Sequence, residues 1–450
     1  MVAETTTISI ADVAAFKQKA LAWADCFNVV CLLDSNNYNF TNYPAKEWVL
    51  AVDAIDFIDT GANHTLPFTG LNAVQPAGTA FEKLKAFTEN ISTPVFGFLG
   101  YDLKNEIESL HSNNPDGVGF PDMYFFKPRF ILELTGNKLT VNRNYPETFE
   151  LLEAIEKWEV RSTKYEVEKL NTQLKARTAK EAYLQNIEKI KQQIEAGDYY
   201  ELNYCNEFYA DNTTINAVQV FGELNTKAQA PFSCYFKLYD KYLMCASPER
   251  FIKKEGGKLI SQPIKGTIKK GTTPAENDQL KQQLQANEKE RAENLMIVDL
   301  VRNDLARSSQ PGTVQVEELC GIYEFATVNQ MISTVTAQIN NTHAIDAIKH
   351  AFPMGSMTGA PKIEVMKNIE QYESFKRGLY SGSVGYITPN GDYDFNVVIR
   401  SILYNHTQQY LSIRVGGAIT YDSVAENEWN EILLKAQGML HVLNATLVTG

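Results

Sequence analysis

Pro389-Asn390-Gly391-Asp392 separates two strand-like runs, YSGSVGYIT (380–388) and YDFNVVIRSILY (393–404). Four residues can join only antiparallel neighbours, because a parallel pair needs a crossover of about a dozen residues or more. Glu255-Gly-Gly-Lys258 folds FIKKEGGKLISQPIKGT (251–267) on itself in the same way. YLMCAS (242–247) and QYLSIRVGGAIT (409–420) read as further strands. Nearer the N-terminus, VFGFLGYDL (95–103) and FFKPRFILEL (125–134) flank the turn-rich HSNNPDGVGFPD. These strands come in runs, with helices after them and no steady strand–helix alternation. That order favours an α+β fold with antiparallel sheets over a doubly wound one.

Three helix starts are legible. Thr178-Ala-Lys-Glu181 has the form of a capping box and precedes an apolar stripe of Tyr183, Ile187, Ile190 and Ile194. It lies within residues 147–195, a charged stretch that reads as helical throughout. Thr273-Pro274-Ala-Glu276 combines an N-cap, a first-turn proline and a capping glutamate, and opens a helix, whole or broken, to about Arg307. Ser423-Val-Ala-Glu426 opens a last helix that buries Trp429, Ile432, Leu433, Ala436, Leu440 and Leu443. A soft boundary falls near residue 170. It divides a β-rich region, 1–170, from a second part, 171–450, as two pieces of one body.

Composition removes several classes of function. With 42 basic and 54 acidic residues among 450, the net charge of −12 argues against binding a phosphate backbone. No apolar run approaches the roughly 20 residues that span a bilayer. MVAETTTISIADVAAF has neither the basic start nor the apolar centre of a signal peptide. Nucleic-acid and membrane partners are therefore not expected. Six scattered cysteines form no CxxC and suggest a reducing cytoplasm. Six scattered histidines form no HExxH, so zinc hydrolysis and a Ser-His-Asp triad lack support.

A few residues are costly unless they have work to do. Lys265, in Gln262-Pro-Ile-Lys-Gly-Thr267, follows a strand; near apolar surface its amine would lose basicity and become nucleophilic. A strand-end lysine with its ammonium in water fits the same string. Glu249, in Ser247-Pro-Glu-Arg-Phe251, precedes Lys265 by sixteen residues across the hairpin and suits acid–base work, or pairs with Arg250. Arg400, within the run Phe395–Tyr404, calls for a carboxylate, a bound anion or an outward-facing position. Glu290-Arg-Ala-Glu293 and Glu428-Trp-Asn-Glu431 each put two carboxylates on one helix face. If two such helices met, the all-oxygen site would suit Mg²⁺; apart, they are ordinary solvated faces. Met354-Gly-Ser-Met-Thr-Gly-Ala-Pro-Lys362 and Val415-Gly-Gly-Ala418 leave backbone open to close approach, as a turn and a helix start also would.

These strings together resemble the chorismate-utilising enzymes. The resemblance is carried by GDYYELNYCNEF (197–208), SPERF (247–251), PIKGT (263–267), ERAENLMIVDLVRNDLAR (290–307), FPMGSMTGAPKIEVM (352–366), YSGSVGYITPNGDYDFNVVIRS (380–401) and GGAITYDSVAENEWNEILLKA (416–436), in family order. The N-terminal third resembles the family mainly at FGFLGYDL (96–103). It implies two antiparallel sheets packed face to face with peripheral helices. Lysine after Pro-Ile, where anthranilate-forming members carry alanine, implies the branch that makes 4-amino-4-deoxychorismate from chorismate and ammonia for p-aminobenzoate and folate. By that resemblance Lys265 attacks C2 of the ring and Glu249 protonates the departing C4 hydroxyl. Glu293 and Glu431 hold Mg²⁺ with help from Glu290 and Glu428. Tyr380 and Arg400 hold the enolpyruvyl carboxylate, and Gly266, Thr267, Gly416 and Ala418 line the pocket.

Two positions depart from the family. Gln330 stands where many relatives have histidine, and Ala418 replaces a usual third glycine. No Gly-x-Cys-x-Gly elbow is present, so the resemblance implies ammonia from a separate glutamine amidotransferase subunit. The alternatives are an anthranilate-forming or isochorismate-forming enzyme, or a non-catalytic chorismate-binding regulatory subunit.

Overall fold

The computed structural model describes residues 5–38, 42–60, 76–142, 148–158 and 172–448. The first part runs β1 (Thr5–Ser9), α1 (Val13–Ala24), β2 (Val29–Asp34), β3 (Trp48–Asp59), α2 (Ala80–Thr88), β4 (Val95–Leu99), α3 (Lys104–Ile107), β5 (Met123–Thr135), β6 (Lys138–Asn142) and α4 (Thr148–Glu156). Then come β7 (Gln173–Ala176), α5 (Lys180–Ala196), β8 (Glu201–Ala210), α6 (Ala217–Ala228), β9 (Phe232–Leu238) and β10 (Lys241–Ser247). The central part is β11 (Arg250–Glu255), β12 (Lys258–Gln262), β13 (Ile264–Lys269), α7 (Pro274–Ala286), α8 (Glu288–Ala306), β14 (Gln315–Glu324) and β15 (Val328–Gln338). The chain continues through α9 (Ala344–Ala351), β16 (Gly359–Ala360), α10 (Lys362–Tyr372), β17 (Ser383–Ile387), β18 (Tyr393–Asn396) and β19 (Ser401–Asn405). It closes with β20 (Tyr410–Ile419), α11 (Ala425–Val442) and β21 (Thr446–Val448).

Every strand pair among the described residues is antiparallel except β7 with β21. One sheet runs β1–β6–β5–β3–β2–β9–β10–β19–β20–β8. The second runs β5–β4–β17–β18–β11–β12–β15, with β13 and β14 also on β15. β5 belongs to both: its first residues pair with β4 and its last with β6. The two sheets face each other across an aromatic core. Phe236 of β9 meets Phe98 of β4 edge-on at 5.1 Å. Strands on either side of residue 170 pair directly, β2 with β9 and β4 with β17. A second core forms where α5 and α11 cover the outer face of β8 and β20. Tyr183 stacks on Tyr204 at 4.6 Å and meets Trp429 edge-on at 5.3 Å. No helix among the described residues is long and apolar enough to cross a membrane.

Both tight hairpins form as expected, β11–β12 about Gly256 and Gly257 and β17–β18 about Asn390 and Gly391. Three local expectations need correction. The stretch 147–195 is not helical throughout, because β7 interrupts it and pairs with β8. The boxes at Thr178 and Ser423 do not cap: Ala179 and Val424 are the N-caps and make no side-chain cap bond. Other partners engage both hydroxyls, Thr178 Oγ1 pairing with the distant Ser374 at 3.1 Å and Ser423 Oγ accepting from the Thr420 amide, three residues back, at 3.1 Å. YDFNVVIRSILY is not one strand, since 397–400 break it into β18 and β19. At Thr273 the cap forms, with Pro274 in the first turn, and the helix breaks at Asn287, which caps α8.

Candidate active site

β13 pairs with β15 through Ile264↔Ile332 and Thr267↔Gln330, so Lys265 and Gly266 together face Met331 alone. This is a bulge, which turns a side chain out of the sheet's alternation. Gly266 has φ +92°, and a Cβ there would lie 3.2 Å from both Glu290 Oε2 and Met331 Cβ. The turned side chain is Lys265. Its Nζ donates to Glu201 Oε1 at 2.8 Å, bridging β13 of the second sheet to β8 of the first. Glu201 is fully buried, and its Oε2 has no hydrogen-bond partner.

Lys265 is neither the neutral amine of an apolar surface nor an ammonium in water, the two states its string allows. Burial pushes its ammonium toward neutrality, but the charges of Glu201 and Glu293, the Glu201 hydrogen bond and Glu249 outweigh this. The group is held above the ordinary lysine range, as ammonium and not as free amine. Glu249 sits in the corner between β10 and β11. Its amide donates to Ser247 Oγ at 3.2 Å and its carbonyl accepts from the Val397 amide at 3.0 Å. Burial raises its carboxyl to about 7, against opposing effects of Ser356 and Lys265. The Ser356 hydroxyl is near without forming a hydrogen bond of proper geometry. A carboxyl that titrates near neutrality can hold a proton and give it up, which suits a general acid.

The two carboxylate-bearing helices do meet. Lys289 Nζ lies 3.8 Å from Glu293 Oε1 on α8 and 4.0 Å from Glu428 Oε1 on α11. Burial, opposed by Lys265, raises Glu293 to about 7. Glu290 is raised by burial and then by the charge of Glu431. Glu428 is likewise raised by burial, with Glu431 adding to it. Glu431, despite desolvation, is held below the usual range by Lys435, whose Nζ is 2.6 Å away. Gly417 lies beneath the α11 pair, where a Cβ would be 3.4 Å from both Glu428 Oε2 and Glu431 Oε1. No three of the described His, Cys, Asp or Glu side chains converge as a ready-made metal site. The four glutamates still fit a hard divalent cation in kind. They are all-oxygen donors, they crowd like charge into a partly buried space, and lysine ammoniums already relieve it.

Arg400 lies in the break between β18 and β19 at φ +52° and is half-buried. Its Nη1 donates to the Lys435 carbonyl at 3.4 Å, and among the described residues no carboxylate lies within 4 Å. Burial lowers its guanidinium from the ordinary value, against Tyr380 and Glu431. A cation so placed suits an anionic ligand. Tyr380 is buried nearby, its hydroxyl accepting from Cys205 Sγ at 3.8 Å. Gly416 and Ala418 pair with Cys205 and Asn203, so all four share one face of the first sheet with Glu201. A Cβ on Gly416 would lie 2.4 Å from Cys205 Sγ and 2.9 Å from the Tyr204 carbonyl. Thr267 is exposed, and β13 continues past the site there. The Met354–Lys362 segment closes the end of β8, Asn203 N bonding to the Thr358 carbonyl and Tyr200 N to that of Ala360.

Sequence reasoning missed Glu201 and a buried ionic frame behind the pocket. Arg377 holds Glu373 and donates to the Asn203 carbonyl at 2.8 Å. Arg414 holds Glu207 at 3.2 Å and donates to the Arg377 carbonyl at 2.6 Å. The available signal was the polar alternation Glu201, Asn203, Cys205, Glu207 along β8, which also describes a solvated strand face.

Residues 34–441 match the family described as chorismate binding enzyme. Aminodeoxychorismate synthase component 1 of Salmonella typhimurium is 34% identical over 77% of this chain and 76% of that protein. The Bacillus subtilis protein of the same name is 32% identical over 77% and 76%. A probable chloroplastic aminodeoxychorismate synthase of Oryza sativa is 38% identical over 59% of this chain, which spans only 30% of that relative's length. Among solved structures, anthranilate synthase component I of Streptococcus pneumoniae superposes with a TM-score of 0.76 at 26% identity, covering 90% of this chain and 94% of that one. The Escherichia coli isochorismate synthase MenF shares the fold, with a TM-score of 0.72 at 17% identity over 98% and 95% of the two chains.

Proposed function

The chain belongs to the chorismate binding enzyme family, and from that premise we propose that it converts chorismate and ammonia to 4-amino-4-deoxychorismate. The observation that carries the reading is the bulge that points Lys265, and no smaller residue, into the space beside Glu249 and the α8–α11 carboxylates. Relatives named aminodeoxychorismate synthase component 1, matched over about three quarters of their length, support the same choice.

In this mechanism the Lys265 amine forms a bond to ring C2. The ring double bonds shift and the C4–O bond breaks, while Glu249 supplies the proton that lets the oxygen leave as water. Ammonia then bonds to C4, the double bonds shift back, and the C2–N bond to Lys265 breaks. Glu249 recovers its proton from the new ammonium at C4. A covalent adduct divides one difficult displacement into two easier ones. Arg400 and Tyr380 orient the side-chain carboxylate. Glu293 and Glu431, with Glu290 and Glu428, would hold Mg²⁺, which when bound neutralises the ring carboxylate. The word component in the relatives' names supports a second subunit, and we assign to it the release of ammonia from glutamine.

The test is to incubate the chain with chorismate, Mg²⁺ and an ammonium salt and identify the product by mass. Aminodeoxychorismate, giving p-aminobenzoate once the lyase is added, is expected. Anthranilate or isochorismate in its place would overturn the reading. Unchanged ammonia-dependent turnover in Lys265→Ala would remove the covalent step.

A further inference from the structure

We infer that Glu201 is the base that takes a proton from the Lys265 ammonium before attack and returns it when the amine is expelled. This rests on the covalent route proposed above. A lysine can form the C2–N bond only with a free electron pair, so the ammonium must first lose a proton. Among the described residues, Glu201 is the only carboxylate within ion-pair distance of Lys265 Nζ, at 2.8 Å. The other acidic groups that face this amine, Glu249, Glu290, Glu293 and Glu431, act on it from farther away. Glu249 is committed to the departing oxygen, and the other three line the α8–α11 space.

Glu201 has the features this task needs. It is wholly buried at the start of β8, and Oε2 has no partner. A carboxylate serving only as a structural counter-ion would be expected to satisfy both oxygens. Lys265 keeps a little exposure, 11% of its side chain. A ring seated against it removes that remaining water. An ion pair stripped of water loses much of its advantage over the neutral amine–acid pair, because charges cost most in a low-dielectric surround. Seating the substrate thus moves the proton from Nζ to Glu201 at the moment the amine is needed. The balance closes: one proton goes to Glu201 before the C2–N bond forms and comes back when that bond breaks.

Glu201→Gln and Glu201→Asp are compared with the parent chain, using chorismate, Mg²⁺ and ammonium salt. The glutamine variant keeps size and hydrogen bonding but cannot take the proton. Its kcat should fall at least about 100-fold, as for loss of a general base, with KM for chorismate little changed. Its residual rate should climb with pH as solvent hydroxide takes over. The aspartate variant should recover part of the rate. Parental kcat in the glutamine variant overturns the inference, as does a loss carried by KM alone with the pH profile unmoved. If the glutamine variant does not fold, the aspartate variant decides: a pH profile identical to the parent's overturns the inference. A parent chain that makes no aminodeoxychorismate overturns the underlying reading and the inference with it. An active parent with an indifferent Glu201→Gln variant overturns the inference alone.

Discussion

Glu293 on α8 and Glu428 on α11 share one cation, the ammonium of Lys289, at 3.8 and 4.0 Å. This contact ties the helix lying on the second sheet to the helix lying on the first. A divalent ion held by the same carboxylates, as proposed above, would compete with this ammonium. Lys289 is half-exposed, so the pair is worth little as stability. Its consequence is competition. Lys289→Met should tighten Mn²⁺ binding by a few-fold, read by titration calorimetry or by electron paramagnetic resonance. Weaker binding would mean that Lys289 orders the carboxylates and does not compete for them.

Lys265 and Glu201 form a buried ion pair, and removing one member leaves the other charge unpaid in the interior. Lys265→Met should therefore destabilise the chain by about 3–5 kcal/mol. Adding Glu201→Gln should recover most of that loss, because no charge is then stranded. Activity should stay absent in both. Urea midpoints of the two single variants and the double variant measure the coupling. Strictly additive losses would contradict a direct pair at 2.8 Å.

Gly266 should tolerate no side chain without loss of rate. At φ +92° an L-residue is strained by about 1–3 kcal/mol. The added Cβ also presses on Glu290 Oε2 and Met331 Cβ at 3.2 Å. Relief comes by flattening the bulge, which swings Lys265 away from Glu201. Gly266→Ala should lower kcat by about tenfold or more, since misplacing a reacting group by an ångström is costly. Gly257→Ala is the control. Its φ is not positive, and the only neighbour of its Cβ is Gln338 Oε1 at 3.4 Å, so rate and stability should hardly change.

What was legible in the chain followed the range of the interaction. The turns at Gly256–Gly257 and Asn390–Gly391 were readable because backbone sterics within four residues set them. The caps at Thr178 and Ser423 misled because a hydroxyl bonds whichever partner is nearer. At Thr178 the distant Ser374 prevails over the helix end, whereas at Ser423 the competitor is itself local, the amide of Thr420 three residues back. Arg400 read as a mid-strand residue because nothing nearby in sequence signals the break that puts it at φ +52°. The meeting of the two ExxE helices was open to guess from residue type alone. The charge of Lys265 was not, because whether the buried amine keeps its proton depends on Glu201, 64 residues away on another sheet. A strand glutamate among alternating polar residues looks solvated until the second sheet is laid over it.

Glu249 links stability to rate through pH. Its carboxyl titrates near 7 in the folded chain, against about 4.3 when unfolded. The folded state thus holds its proton more tightly, so raising the pH from about 4.5 through 7 withdraws stability; below that window nothing is lost. Glu249→Gln, neutral at every pH, should match the parent chain near pH 4 and exceed it at pH 8 by as much as about 4 kcal/mol. The substitution acts on turnover in the opposite sense. The acid must be protonated to release the C4 oxygen, so the parent's rate, normalised to free ammonia, should fall as pH rises through about 7. The glutamine variant should lose at least about 100-fold and lack that limb. Denaturation curves over pH 4–9 and rate profiles over pH 5–9 on both proteins check the pair of signs together. A variant both more stable at pH 8 and still bearing the alkaline decline would assign the decline to another group and take the acid role from Glu249.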